Sequence, residues 1–243
     1  MGQSVVFRLP ILVYHKIDEI PAEARYSRNY VRPRQFDAQL GWLRRRGYES
    51  ITFAQYLAHR EGRGTLPRRP VLISFDDGYR SNLEIALPLL QTHGFGATIF
   101  VVSGLLGATN RWDPTEIQEP LLNALEIRAM ARDGIEFESH THTHPRLPDL
   151  SEQQALHELR ESRERLAELL SRDVRVICYP FARHTNATKE LAKQAGYTAG
   201  VTIRRRLNDD STDLFALRRI PVTFERSLAS FAWDFVRLRW NGD

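Results

Sequence analysis

Short apolar runs bounded by turn residues alternate along this chain with segments whose apolar positions recur every three or four residues. That alternation is the pattern of βα units around a mainly parallel sheet or barrel. The strands it predicts are Ile11–Tyr14, Val71–Phe75, Ala97–Val102, Ile135–Glu138, Val174–Tyr179, Tyr197–Thr202 and Leu217–Val222. Between them, Phe36, Leu40 and Leu43 fall on one face of a helix that Gly47 ends, and Leu83, Leu87 and Leu90 do the same ahead of Gly94. Ser151 to Gln154 reads as a capping box opening a long charged helix, with Ala155, Leu159, Leu166 and Leu170 among its inward candidates. Arg60 to Arg69, containing Gly62, Gly64 and Pro67, is a loop before the strongest strand. No shift in composition divides the chain. The expectation is a single α/β domain over residues 1–243, with its core at about residues 10–222 and a C-terminal helix at about residues 227–240.

Composition changes this picture little. With 42% hydrophobic and 26% charged residues, the chain has the balance of a globular protein rather than a disordered or fibrous one. A formal net charge of +4 favours anionic surroundings, but the arginines are scattered and no nucleic-acid module accompanies them, so no nucleic-acid partner is expected. The single cysteine, Cys178, cannot form an internal disulfide. Neither a signal-peptide pattern at the start nor a run approaching roughly 18 apolar residues is present, which makes cytoplasm the expected location. Phe231, Trp233, Phe235, Val236, Leu238 and Trp240, interleaved with Arg237 and Arg239, fit a helix packed on the domain or one that also touches a membrane surface.

Two strand ends carry the chemistry. Val71 to Phe75 runs into Asp76-Asp77-Gly78, and in parallel sheets and barrels the C-terminal strand ends face the ligand site. Paired acids there suggest a metal ligand beside a general base; an acidic turn is the plainer alternative. Ile135 to Glu138 runs into Ser139-His140-Thr141-His142-Thr143-His144-Pro145. Neutral imidazole suits zinc and related cations, and two histidines with one carboxylate leave a coordination position open. All three histidines share a face if the strand continues, whereas a turn after His140 brings His140 and His144 together and sends His142 elsewhere.

These segments resemble the polysaccharide deacetylase family, also called the NodB-homology domain or carbohydrate esterase family 4. Ser74-Phe75-Asp76-Asp77-Gly78 is similar to its first motif and Ser139 to Pro145 to its second; Tyr14-His15, Trp112-Asp113 and Tyr179-Pro180-Phe181 look like further elements. The resemblance implies a distorted (β/α) barrel of about seven strands and removal of an acetyl group from an N-acetylated sugar or glycan, releasing acetate. Within that likeness Asp76 is the general base, and Asp77, His140 and His144 hold one divalent metal ion, zinc ahead of cobalt, nickel or manganese. Trp112, Pro180 and Phe181 fall to substrate binding, with the Phe181 N–H helping to hold the oxyanion. The likeness breaks in two places. Cys178 stands where many members carry the arginine that orients the base, and Leu217 to Val222 has no histidine where many members supply the general acid. Something else must then set the acidity of Asp76, and the proton donor falls to His184 or to His15, the latter otherwise a substrate-binding residue. A deformylase or other small-amide hydrolase on a lipid- or nucleotide-linked sugar, or a carbohydrate-binding protein without catalysis, are the alternatives.

Overall fold

In the computed structural model residues 8–240 are described, apart from the side chains of residues 238–240. Ten strands follow one another: β1 (Ile11–Tyr14), β2 (Lys16–Ile17), β3 (Tyr30–Val31), β4 (Glu49–Ser50), β5 (Pro70–Phe75), β6 (Thr98–Val101), β7 (Glu136–Ser139), β8 (Val176–Cys178), β9 (Ala199–Ile203) and β10 (Leu217–Pro221). The helices are α1 (Pro33–Arg45), α2 (Phe53–Arg60), α3 (Leu87–His93), α4 (Ala124–Arg132), α5 (Glu152–Leu170), α6 (Asn186–Gln194) and α7 (Leu228–Trp240). All seven strands expected from the apolar runs are present, with ends differing by no more than a residue or two.

These seven close on themselves. β1 pairs in parallel with β5 on one side and with β10 on the other, and the remaining partners run β5-β6-β7-β8-β9-β10. The result is a distorted (β/α) barrel with helices around it. The irregularity lies at β5, whose first residues pair with the short β4 (Glu49↔Pro70) while its last pair with β6 (Ser74↔Thr98). β2 and β3 form a separate two-stranded ribbon.

Strand side chains alternate between two cores. Leu12, Tyr14, Ile73, Phe75 and Ile177 pack outward with Phe36, Leu40 and Leu43 of α1 and with the other helices. Ile11, Leu72, Phe100, Val176, Val201 and Leu217 fill the barrel together with Phe53, Tyr56 and Leu57 of α2. Thus α2 closes the N-terminal end of the barrel. Its first backbone N–H groups, on Phe53 and Ala54, donate to the buried Glu136 carboxylate at 2.8 and 3.0 Å, and Thr98 Oγ1 donates to the same group at 2.6 Å. A carboxylate at a helix N-terminus satisfies both orphan donors and the dipole, which accounts for an acid inside the barrel.

The capping box at Ser151 is present, with the Ser151 hydroxyl accepting from Gln154 N, and Ala155, Leu159 and Leu166 are buried. The expected helix before Gly94 opens instead as a wide π turn at Asn82–Ala86, so Leu83 is only partly buried. Gly94 itself caps the helix in the left-handed region, φ +69°. In α7, Phe231 and Phe235 pack on Trp42 and Tyr48 at ring separations of 5.2–5.8 Å. Trp233 and Val236 face outward. The side chains of Leu238, Arg239 and Trp240, named above in the same run, lie outside those described. Among the described residues no helix is long and apolar enough to cross a membrane.

Gly200 is required by packing rather than by φ. A Cβ on Gly200 of β9 would land against the Tyr179 hydroxyl, which donates to Phe215 O at 3.1 Å. Gly200→Ala is therefore expected to displace Tyr179 and to cost about 1–3 kcal/mol, read as a lower urea midpoint with an unchanged slope.

Candidate active site

At the C-terminal end of the barrel a cleft of about 560 Å³ opens between the strand ends and the loops that follow them. Asp76, Asp77, His140 and His144 form its floor. Their placement follows from strand register and from turns that few residues adopt. β5 ends at Phe75, and Asp77 and Gly78 then both take left-handed backbone, φ +74° each. Gly78 is needed there twice over, since a Cβ would also sit 2.8 Å from Val101 Cγ1. After β7, Thr141 (φ +65°) and His144 (φ +66°) reverse the chain, and after β8 Phe181 and Ala182 are left-handed as well. Of six non-glycine residues with positive φ among those described, five border this cleft or its turns, the other being Ser171 at the end of α5. Each costs on the order of 1 kcal/mol, and such strain collects where geometry must be held for function.

The turn after His140 is the one that separates the histidines. His140 Nε2 lies 3.3 Å from Asp77 Oδ1, His144 Nε2 lies 3.4 Å from the same oxygen, and the two Nε2 atoms are 3.2 Å apart. His142 turns away to Ser103 Oγ, 3.1 Å from its Nδ1. Two ligands held ~2.0–2.1 Å from a tetrahedral ion are separated by ~3.3–3.4 Å, so the triangle has the dimensions of one face of a zinc site. Three lone pairs at this spacing repel unless a positive charge sits among them; a proton satisfies one pair only, a divalent cation all three. The tautomer agrees. His140 Nδ1 is 2.8 Å from Cys178 O, so it carries the proton and leaves Nε2 free to ligate. Burial alone would raise the Asp77 carboxyl, but the two imidazoles that face it, His140 and His144, outweigh burial and hold it well below the usual range. The residues present fit a divalent cation. The ring of His144 is braced by Trp112 on one side, at 4.5 Å between centroids, and by Phe181 on another, at 4.7 Å.

Asp76 sits beside this triangle and is not part of it. Arg219 of β10 reaches through the barrel to it: Nη1 donates to Oδ1 at 2.6 Å and Nη2 to Oδ2 at 2.7 Å. The other guanidinium donors reach Ser74 Oγ (3.3 Å), Thr202 O (3.3 Å) and Cys178 Sγ (3.0 Å), and Phe100 lies 5.4 Å under the group. All five N–H groups of a fully buried arginine thereby have acceptors. Burial would raise the Asp76 carboxyl, but the Arg219 charge and its two hydrogen bonds outweigh this and leave it lowered. This is the group that the missing arginine of the third motif left unassigned. Cys178, in the vacated position, is small enough to let Arg219 in from the next strand but one, and burial pushes its thiol up.

The two histidines weighed as proton donors part company. In the β1–β5 register Tyr14 stands opposite Phe75, so His15 follows beside Asp76 and lines the cleft. His184 is not among the cleft residues: it stacks on the Tyr179 ring at 4.8 Å, and Tyr179, which itself lines the cleft, is the group it packs against. Of the expected substrate contacts, Trp112 and Phe181 line the cleft, while Pro180 is buried in the turn that presents Phe181. The cleft also uses residues that the sequence reading did not single out. Tyr26 is 44% exposed at its mouth, on a loop pinned by Arg25 N and Tyr26 N donating to the Glu116 carboxylate at 3.3 and 2.6 Å. Lys16 is buried against the rings of Tyr30 and Tyr79, at 4.5 and 4.4 Å, and pairs with Glu119, tying the first loop to the loop after β6.

Comparison with known proteins gives the family. A profile of the family described as polysaccharide deacetylase matches residues 63–200. The Bacillus subtilis protein YxkH is 30% identical over 226 residues, spanning 92% of this chain and 75% of that protein. The poly-beta-1,6-N-acetyl-D-glucosamine N-deacetylase of Staphylococcus aureus is 25% identical over 231 residues, spanning 91% of this chain and 76% of that enzyme. Among solved structures, the Streptococcus pyogenes deacetylase PplD in complex with acetate superposes with a TM-score of 0.83 at 25% identity, over 94% of this chain and 98% of that one. With its barrel, its strand-end motifs and these relatives, the chain belongs to the polysaccharide deacetylase family, hydrolases that act on amide bonds of glycans.

Proposed function

We propose that this protein hydrolyses the acetamide of an N-acetylhexosamine unit within a glycan, N-acetylglucosamine first, with a divalent cation held by Asp77, His140 and His144. The observation that carries this is the triangle of ligand atoms at 3.2–3.4 Å set beside a carboxylate that is itself outside the triangle and clamped by Arg219. A cation there supplies Lewis acidity, polarising the carbonyl and acidifying water, and the two-histidine, one-carboxylate set suits zinc ahead of cobalt, nickel or manganese. Asp76 takes the proton from the attacking water. Its two oxygens each accept one Arg219 N–H, which fixes the plane of the carboxylate while leaving a lone pair on each oxygen for that proton. The Phe181 N–H, in the strained turn after β8, donates to the oxygen of the tetrahedral intermediate; a preorganised donor of this kind is worth roughly 3 kcal/mol in other hydrolases. As the C–N bond breaks, His15 returns a proton to the leaving nitrogen, so that acetate and a free amine result. Trp112, Phe181 and Tyr26 offer ring faces to the sugar around the reacting group. Arg219 removes one of the two motives for a purely carbohydrate-binding reading, because the absent third-motif arginine is replaced in kind; the other, the histidine missing from Leu217 to Val222, is met in this reading by His15.

Acetate release from N-acetylglucosamine oligomers by chelated and by zinc-reloaded protein tests this. Release restricted to the reloaded protein is expected; equal release by both would remove the cation from the reading, and none from either would remove the activity. His15→Gln is expected to lower kcat by about 10²-fold, whereas His184→Gln stays within about twofold. The opposite pair of results would move the proton donor to His184.

A further inference from the structure

The charged side chains that line the cleft are paired, one excepted. Asp76 has Arg219, and Asp77 has His140 and His144. Glu116 accepts three backbone N–H groups, from Arg25, Tyr26 and Ile117, and Asp113 accepts from Thr115. Arg28 has Glu225 at 3.6 Å. The Arg146 side chain has neither an ion pair nor a hydrogen bond among the described residues. It is nonetheless held, since its guanidinium lies 5.1 Å over the ring of Phe181, which is 48% exposed and whose other contact is the His144 ring. A stacked guanidinium keeps its edge N–H groups free for a planar, bidentate acceptor while losing little side-chain freedom on binding. That edge is at the cleft rim, one aromatic ring away from His144, within the reach of a sugar substituent or of the neighbouring sugar.

The geometry points to Arg146 as a specificity residue that binds an anionic group, a carboxylate or a phosphate, carried by the glycan next to the N-acetyl unit being hydrolysed. This rests on the deacetylase reading above and narrows its substrate class. A hydroxyl-binding arginine would lose little on replacement by glutamine, which keeps N–H donors and discards the charge; an anion-binding one loses most of its effect.

The test uses the zinc-loaded full chain and three probes: an N-acetylglucosamine oligomer, the same oligomer bearing a carboxyl-ether substituent, and the same oligomer bearing a phosphate ester. Wild type is expected to prefer one or both anionic probes by about tenfold in kcat/KM, with the preference shrinking as salt rises. Arg146→Gln should abolish that preference while leaving the neutral oligomer within about twofold, and Arg146→Lys should retain part of it. Which anionic probe is preferred identifies the source of the charge. Equal kcat/KM for all three probes in wild type, or an equal loss on all three in Arg146→Gln, overturns the assignment while leaving acetate release from the neutral oligomer, and hence the deacetylase reading, intact. Absence of release from every probe by the wild type overturns both.

Discussion

Asp76→Asn is expected to lower kcat by about 10³-fold while the protein still binds one divalent cation, because the side chain that takes the proton is lost and the three that hold the cation are not. The separation is built into the site. Asp77 Oδ1 lies 3.3–3.4 Å from both histidine nitrogens, whereas both Asp76 oxygens are engaged by Arg219. Asparagine has nearly the shape of aspartate, but its amide nitrogen would face a guanidinium N–H and the buried Arg219 charge would lose its counter-charge, so a stability loss of about 3 kcal/mol accompanies the change. Titration with zinc and single-turnover acetate release, made on the same preparation at a temperature well below its unfolding midpoint, separate the two effects. His140→Ala gives the mirror image, losing the cation first and turnover as a consequence. Wild-type kcat in Asp76→Asn, or loss of cation binding in that variant, would show that the two aspartates have been assigned the wrong way round.

Much of this architecture is legible in the chain because parallel strands buried on both faces are continuous apolar runs, and seven such runs mark the seven staves of the barrel. The strand-end acids and histidines are legible for the same reason, Asp76 and Asp77 within two residues of the end of such a run and His140 and His144 within six. What the chain conceals are pairings across the barrel. Arg219 and Asp76 are 143 residues apart and meet only because β1 lies between β10 and β5 and closes the ring. Their one local sign is alternation: Leu217, Arg219 and Pro221 share the inward face of β10, and an arginine at an inward position demands a buried anion. Glu136 and α2 are a second case, a carboxylate and a helix N-terminus 83 residues apart that explain each other only once both are in place. The placement of His15 in the cleft follows from register, and that of His184 outside it from a turn with two left-handed residues, neither of which is visible in spacing.

Arg219→Leu should be the most destabilising single change in the site, by about 3–5 kcal/mol, since it leaves a carboxylate in the barrel without its counter-charge. The effect has a sign in pH. In the wild type Asp76 is lowered, so its contribution is present above the unfolded-state value of roughly 4 and is lost as pH falls through the lower folded value. In the variant burial, which raises the same carboxyl, is opposed only by the smaller influence of His140 and His15, so the folded state carries a desolvation penalty at neutral pH and sheds it as the carboxyl protonates. The gap between wild type and variant is therefore expected to be widest near pH 7–8 and to narrow towards pH 4–5, measured by urea unfolding of the cation-free proteins. Loss of packing alone would give a gap independent of pH. Adding Asp76→Asn to Arg219→Leu should restore a large part of the lost stability, because the buried charge is then gone from both sides, whereas additive losses would mean that the two side chains do not support each other. Turnover behaves differently from stability in this pair. The single Arg219→Leu variant, held folded at low temperature, keeps a carboxylate whose pKa is no longer lowered by a neighbouring guanidinium, so the acid limb of its kcat profile moves to higher pH, while the double variant has no base left and recovers stability without recovering activity.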